Sequence, residues 1–101
     1  MAKFVLSYHG GNKGFKTKEE GQAHMKSWMA WEASLGDVTS MYFGKSKTVS
    51  AEGIADDGGA NPLSGITILE AETMEDVLEM AKKCPHINIG GTIEVVQAMK
   101  M

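Results

Sequence analysis

Residues 17–35 read TKEEGQAHMKSWMAWEASL, and how this stretch folds decides how the rest of the chain can pack. Thr17-Lys18-Glu19-Glu20 is a capping box: the Thr17 hydroxyl can accept from the Glu20 amide while the Glu20 carboxylate reaches back to the Thr17 amide. At about 100° per residue, Trp28, Trp31 and Leu35 fall on one narrow face, and His24 falls between the two tryptophans in angle. Glu19, Lys26 and Ser27 lie well off that stripe. The spacing predicts an amphipathic helix that turns an imidazole to its buried side within two turns of its amino end. Gly36 is placed to end it as a left-handed cap.

Working outward, residues 3–9 alternate, with Phe4, Leu6 and Tyr8 against Val5, Ser7 and His9, which is a strand of period two. Gly10-Gly11-Asn12-Lys13-Gly14 breaks it into a loop. Residues 38–43, β-branched and aromatic, read as a second strand. Gly44-Lys45-Ser46-Lys47 turns the chain into a short third strand at 48–51. The run 52–63 holds three glycines, two aspartates, an asparagine and a proline without a period, so a surface loop is expected. Residues 64–71 form a strand. Thr73 caps a second helix in which Met74, Val77, Leu78 and Ala81 recur at i, i+3, i+4, i+7, and Lys82-Lys83 complement its carboxyl end. Cys84-Pro85 stops it, 85–90 is a loop, and 91–97 alternates as the last strand.

This order is a ferredoxin-like βαββαβ pattern, class α+β, with an extra short strand. Each helix has one apolar stripe, so both should cover the same sheet face. The opposite face carries Val5 and Ser7, and no third helix remains for it. Burial against a second copy predicts a homodimer, a dimeric α+β barrel.

The chain of 101 residues is sized for a single domain over 1–101. A net charge of −3, with no basic run longer than Lys82-Lys83, argues against a nucleic-acid partner. The RNA-recognition module shares the βαββαβ order, but the stacked aromatics of its central strand are missing here. There is no arginine, which removes the bidentate clamp for phosphate or carboxylate. One cysteine cannot form an internal disulfide, which predicts a reducing, cytoplasmic setting. No window approaches a membrane span, and the amino end lacks a signal peptide's apolar core.

Several stretches together resemble the YCII-related family, which includes the YciI-like and DGPF-domain proteins. They are Phe4-Val5-Leu6-Ser7-Tyr8, Ala23-His24 followed by an apolar residue, and Ser64-Gly65-Ile66-Thr67-Ile68-Leu69-Glu70-Ala71 running into an acidic helix start. Cys84-Pro85 and Gly91-Thr92-Ile93-Glu94-Val95-Val96 complete the set. Two features depart from the pattern. Asp57-Gly58 is followed by Gly59 and Ala60 instead of proline and phenylalanine, and His86 follows Pro85 where the YciI branch has an aromatic residue. The resemblance implies a dimeric α+β barrel with a pocket between sheet and helices and a histidine in it, here His24. It does not imply a reaction, since a shared fold hosts unrelated functions; a few relatives resemble small lactone or dehalogenase-type enzymes.

His24 is the foremost catalytic candidate. Its intrinsic pKa suits proton transfer near neutrality, and a helix amino end disfavours the imidazolium, leaving a base-competent ring. The plainer alternative is a core histidine bonded to a backbone carbonyl beside Trp28. His9 ends the first strand beside Gly10-Gly11 and is expected to face His24, with a solvated strand end as the alternative. His86, Trp28 and Glu94 are the candidate substrate-binding residues. Against them stand an exposed loop histidine, a core tryptophan paired with Trp31, and a wet edge strand.

Metal is not expected: no two of the three histidines stand at i, i+4, nothing resembles H-E-x-x-H, and Asp56-Asp57 lack calcium-loop spacing. No cofactor is expected either. Cys84 reads as a small buried apolar residue, and Asp37 could orient a histidine only if the chain doubled back. These residues fit a small cofactor-free lyase or isomerase acting on a small polar organic compound. The alternative is a non-catalytic metabolite-binding or accessory protein using the same pocket and dimer.

Overall fold

A computed structural model of the chain describes residues 1–11, 15–59 and 61–99. Asn12, Lys13 and Gly14 of the expected first loop, Ala60 of the expected long loop and residues 100–101 lie outside them.

The alternation in the first strand sets the architecture. In β1 (Ala2–His9), Phe4, Leu6 and Tyr8 are buried while Val5, Ser7 and His9 are half-buried on the other side. β1 lies between β5 (Leu63–Ala71) and β6 (Thr92–Gln97), and β2 (Thr39–Tyr42) flanks β5, giving the order β2-β5-β1-β6 with every neighbour antiparallel. Helices α1 (Lys18–Ser34) and α2 (Met74–Lys82) complete two strand-helix-strand halves. The result is a mixed α+β structure of ferredoxin-like type.

Trp28, Trp31, Val77 and Ala81 from the helices pack with Phe4, Leu6, Tyr8, Leu69 and Ala71 in one core. Full burial of each large side chain contributes about 1.5–3 kcal/mol. The Trp31 indole N–H donates to the Met80 carbonyl at 2.9 Å and ties α1 to α2.

Both caps form, with Thr17 Oγ1 accepting from the Glu20 amide at 3.1 Å and Thr73 Oγ1 from the Asp76 amide at 3.2 Å. The box is altered on its return side: the Glu20 carboxylate takes the Lys16 amide at 3.0 Å instead of that of Thr17. Gly36 follows α1 at φ +83°, the left-handed conformation that glycine adopts without a Cβ clash.

The long loop expected over 52–63 needs correction. Gly53–Ala55 is a strand, β4, paired with β3 (Thr48–Ser50) in the register Thr48↔Ala55, Val49↔Ile54 and Ser50↔Gly53. All six residues are exposed, so no contrast of buried and exposed positions marks the hairpin in the sequence. The third strand stops at Ser50, and Ala51 and Glu52 make the turn. β5 begins at Leu63, the residue assigned to the end of that loop. The expected loop over 85–90 is a 3-10 turn, Pro85–Ile89, ended by Gly90 at φ +80°.

The face of the sheet away from the helices carries Val5, Ile66 and Ile68, half-buried, with Met41 and Val96 exposed. Ser7, His9 and Glu94 share that face. No helix among the described residues is long and apolar enough to cross a membrane.

Candidate functional site

One helical turn separates His24 from Trp28 on α1, and the Trp28 indole N–H donates to His24 Nε2 at 2.7 Å. An indole nitrogen can only donate, so Nε2 is the bare nitrogen and the neutral ring carries its proton on Nδ1. The ring is half-buried and also meets Phe15, centroids 5.1 Å apart. Burial, and secondly the positive charge His86 would carry, hold the His24 pKa below its ordinary value.

His86 is oriented the opposite way. It sits in the 3-10 turn after α2, only 5% exposed, which overturns the alternative of an exposed loop histidine. Its Nε2–H donates to the His9 carbonyl at 2.9 Å, so in the neutral ring Nδ1 carries the lone pair. Glycines flank the ring: a Cβ at Gly91 would overlap Nε2, and one at Gly11 would lie 3.0 Å from Nδ1. Tyr8 and Trp28 close edge-on against it, with centroids at 5.4 and 6.3 Å.

His24, His86, Trp28, Tyr42, Gly10 and Gly11 line one cavity of about 240 Å³, together with Met25 and Ser64. Tyr42 stands perpendicular to Trp28 (88°, centroids 5.7 Å apart) and donates its hydroxyl to the Glu32 carboxylate. Its phenol pKa is raised, by burial first and then by the hydrogen bond and charge of Glu32. Tyr8 is bonded to Thr67 Oγ1 at 2.6 Å, and Ser40 reaches the same oxygen at 2.8 Å. Burial raises the Tyr8 phenol despite the opposing bond from Thr67. A wider, more open bowl lies outside α1, between Phe15, Met25, Met29 and three lysines, and contains neither His24 nor His86.

The expectation that His9 faces His24 is overturned. Tyr8 is the residue that points to the helix side, so period two sends the His9 ring to the other face. There His9 Nδ1 lies 3.1 Å from the Asn61 carbonyl, and Nε2 lies 3.3 Å from Glu94 Oε1, within ion-pair range but out of line for a hydrogen bond. His9 serves the cavity only through its carbonyl. Glu94, 66% exposed in its side chain, is likewise outside the cavity. Asp37 lines a separate hollow with Lys3 and Glu70. Of the sequence-derived candidates, His24, Trp28 and His86 come together; His9 and Glu94 form a second group across the sheet.

Tyr42, Glu32 and Gly91 were missed. The one signal available was Gly91 following Gly90, since paired glycines mark close approach of backbone to another group. Among the described residues, no three His, Cys, Asp or Glu side chains gather to hold a metal ion. No protein-family model matches the chain, and a search of curated proteins finds no match either.

Proposed function

We propose that the protein is a small cofactor-free enzyme of YCII-related type, a lyase or isomerase that moves a proton on a small polar organic compound. The observation that supports this most is the opposed hydrogen bonding of two imidazoles in one cavity: His24 offers Nδ1–H, and His86 offers the Nδ1 lone pair. His86 then abstracts a proton from carbon next to a carbonyl, and the C–H electron pair moves into an enolate. His24 donates a hydrogen bond to the oxygen on which charge develops. Returning the proton to a different atom completes an isomerisation; loss of a leaving group from the enolate completes an elimination. The base role expected for His24 passes to His86, because the His24 lone pair is engaged by Trp28.

The working form is a homodimer, a dimeric α+β barrel in a cytoplasmic setting. Its support is the apolar sheet face of Val5, Ile66, Ile68, Met41 and Val96, together with the resemblance in element order. Assembly and chemistry are tested separately. Sedimentation of wild type should give a dimer, and Ile68→Asp a folded monomer. Deuterium incorporation from D2O into a panel of small carbonyl compounds should be lost in His86→Gln and fall about 100-fold or more in His24→Gln. Ligands that raise the melting temperature with neither exchange nor product would move the assignment to a non-catalytic metabolite-binding protein.

A further inference from the structure

We infer that the cavity takes a small, uncharged carbonyl compound with a hydrogen-bond donor or acidic C–H beside its carbonyl, and discriminates against the carboxylate of the same shape. This deepens the proton-transfer reading and rests on it.

The two imidazoles specify an unlike pair of partners. His24 Nδ1–H needs an acceptor, and His86 Nδ1 needs a donor, because Trp28 and the His9 carbonyl engage the other nitrogens. A carbonyl flanked by N–H, O–H or acidic C–H meets both. A carboxylate presents two acceptors, so one oxygen would face the His86 lone pair with no hydrogen between them. Leaving a buried polar group unpaired weakens binding about fivefold to a hundredfold.

Charge in the cavity points the same way. Burial and the neighbouring His86 disfavour protonation of His24, so that ring is a poor source of cationic charge for an anion. Glu32 adds a carboxylate bonded to the hydroxyl of Tyr42, a residue of the lining. Among the described residues no lysine lines the cavity, and the chain has no arginine. The walls add shape. Trp28 and Tyr42 stand at 88° to each other, and a volume near 240 Å³ lies below the usual 300–1,000 Å³ of ligand pockets, which restricts the ligand to one ring or a short chain.

Benzamide and benzoate are an isosteric pair that separates these alternatives at about pH 8. Benzamide offers a carbonyl to His24 and an N–H to His86; benzoate offers only acceptors. Each is titrated into the wild-type protein, following the Trp28 indole N–H and the imidazole resonances by NMR. Benzamide is expected to bind about tenfold or more tightly than benzoate, and His86→Phe to bring the two toward parity. Benzoate binding as tightly as benzamide in wild type would overturn the ligand class while leaving the proton-transfer reading intact. If neither moves the cavity resonances up to its solubility limit, both readings fall. The wild-type comparison stands by itself should His86→Phe not fold.

Discussion

Trp28 holds Nε2 of His24 with its indole N–H at 2.7 Å, and this bond decides which nitrogen of the imidazole is left for anything else. The imidazolium has no lone pair at Nε2 to receive that hydrogen, so the bond favours the neutral ring and adds to the depression of the His24 pKa by burial and His86. Trp28→Phe should therefore raise the His24 titration midpoint, read by NMR, and cost about 1–3 kcal/mol through the lost bond and the smaller ring. The sign for stability follows. The folded pKa is below the ordinary 6.5, so the unfolded chain binds more protons as the pH falls. His24 thus contributes fully above pH 6.5, and the contribution is lost as the pH drops toward the folded value. The variant should lose less stability than wild type between pH 8 and pH 5; a downward move of the midpoint would refute the assigned tautomer.

Gly91 and Gly36 separate two reasons for glycine. Gly36 has open space around its missing Cβ but sits at φ +83°, so Gly36→Ala should cost about 1–2 kcal/mol through backbone strain alone. Gly91 is outside the left-handed region, and an added Cβ meets the His86 ring. Gly91→Ala should displace that ring, break its bond to the His9 carbonyl and cost about 1–3 kcal/mol through overpacking. Urea denaturation gives the costs, and imidazole nitrogen shifts give the tautomer. Should Nε2 of His86 remain the protonated nitrogen in Gly91→Ala at wild-type stability, the glycine clamp has no role.

The legible regions of this fold were those whose residues face a core. Phe4, Leu6 and Tyr8 alternate, and Trp28 and Trp31 recur, because each set is buried on one side only. The β4 strand, Gly53–Ala55, gave no such contrast, since both strands of its hairpin lie in solvent. Alternation already placed the His9 ring across the sheet from Tyr8. Expecting it to meet His24 gave nearness along the chain more weight than strand parity. His86 and Tyr42 were harder for a different reason. The burial of His86 depends on Gly11 and Gly91, from opposite ends of the chain, and Tyr42 is tied to Glu32 between β2 and α1. Such contacts are products of tertiary assembly and leave little local pattern.

Thr67, fully buried, connects Tyr8 and Ser40 through one hydroxyl. Thr67→Val keeps the shape and removes the shared partner, leaving the phenol of the buried Tyr8 unpaired. The cost should be about 1–3 kcal/mol by urea denaturation. Tyr8→Phe should cost a comparable amount, but the double variant less than the sum, with a coupling of about 0.5–3 kcal/mol. Strict additivity would mean that the two hydroxyls do not bond in solution.

Cys84 tests the interior from the alkaline side. Its thiol is 2% exposed, and burial is the main cause that pushes its pKa from 9.0 up to about 12; the Glu32 charge raises it further, while a backbone hydrogen bond at His86 works against the rise. An unfolded chain would release this proton near pH 9 while the folded chain retains it. The contribution to stability is therefore complete below pH 9 and is lost as the pH climbs toward 12, by at most about 1.4 kcal/mol per pH unit. Cys84→Ala should remove that slope, so melting temperatures measured at pH 8 and pH 10 should fall further for wild type than for the variant. The same burial predicts that a thiol reagent labels the native protein at the rate of unfolding or local opening, since the thiolate is the reactive form. Rapid labelling at pH 8 under native conditions, with an equal alkaline slope in the two proteins, would place the sulfur at the surface and undo the packing assigned to the end of α2.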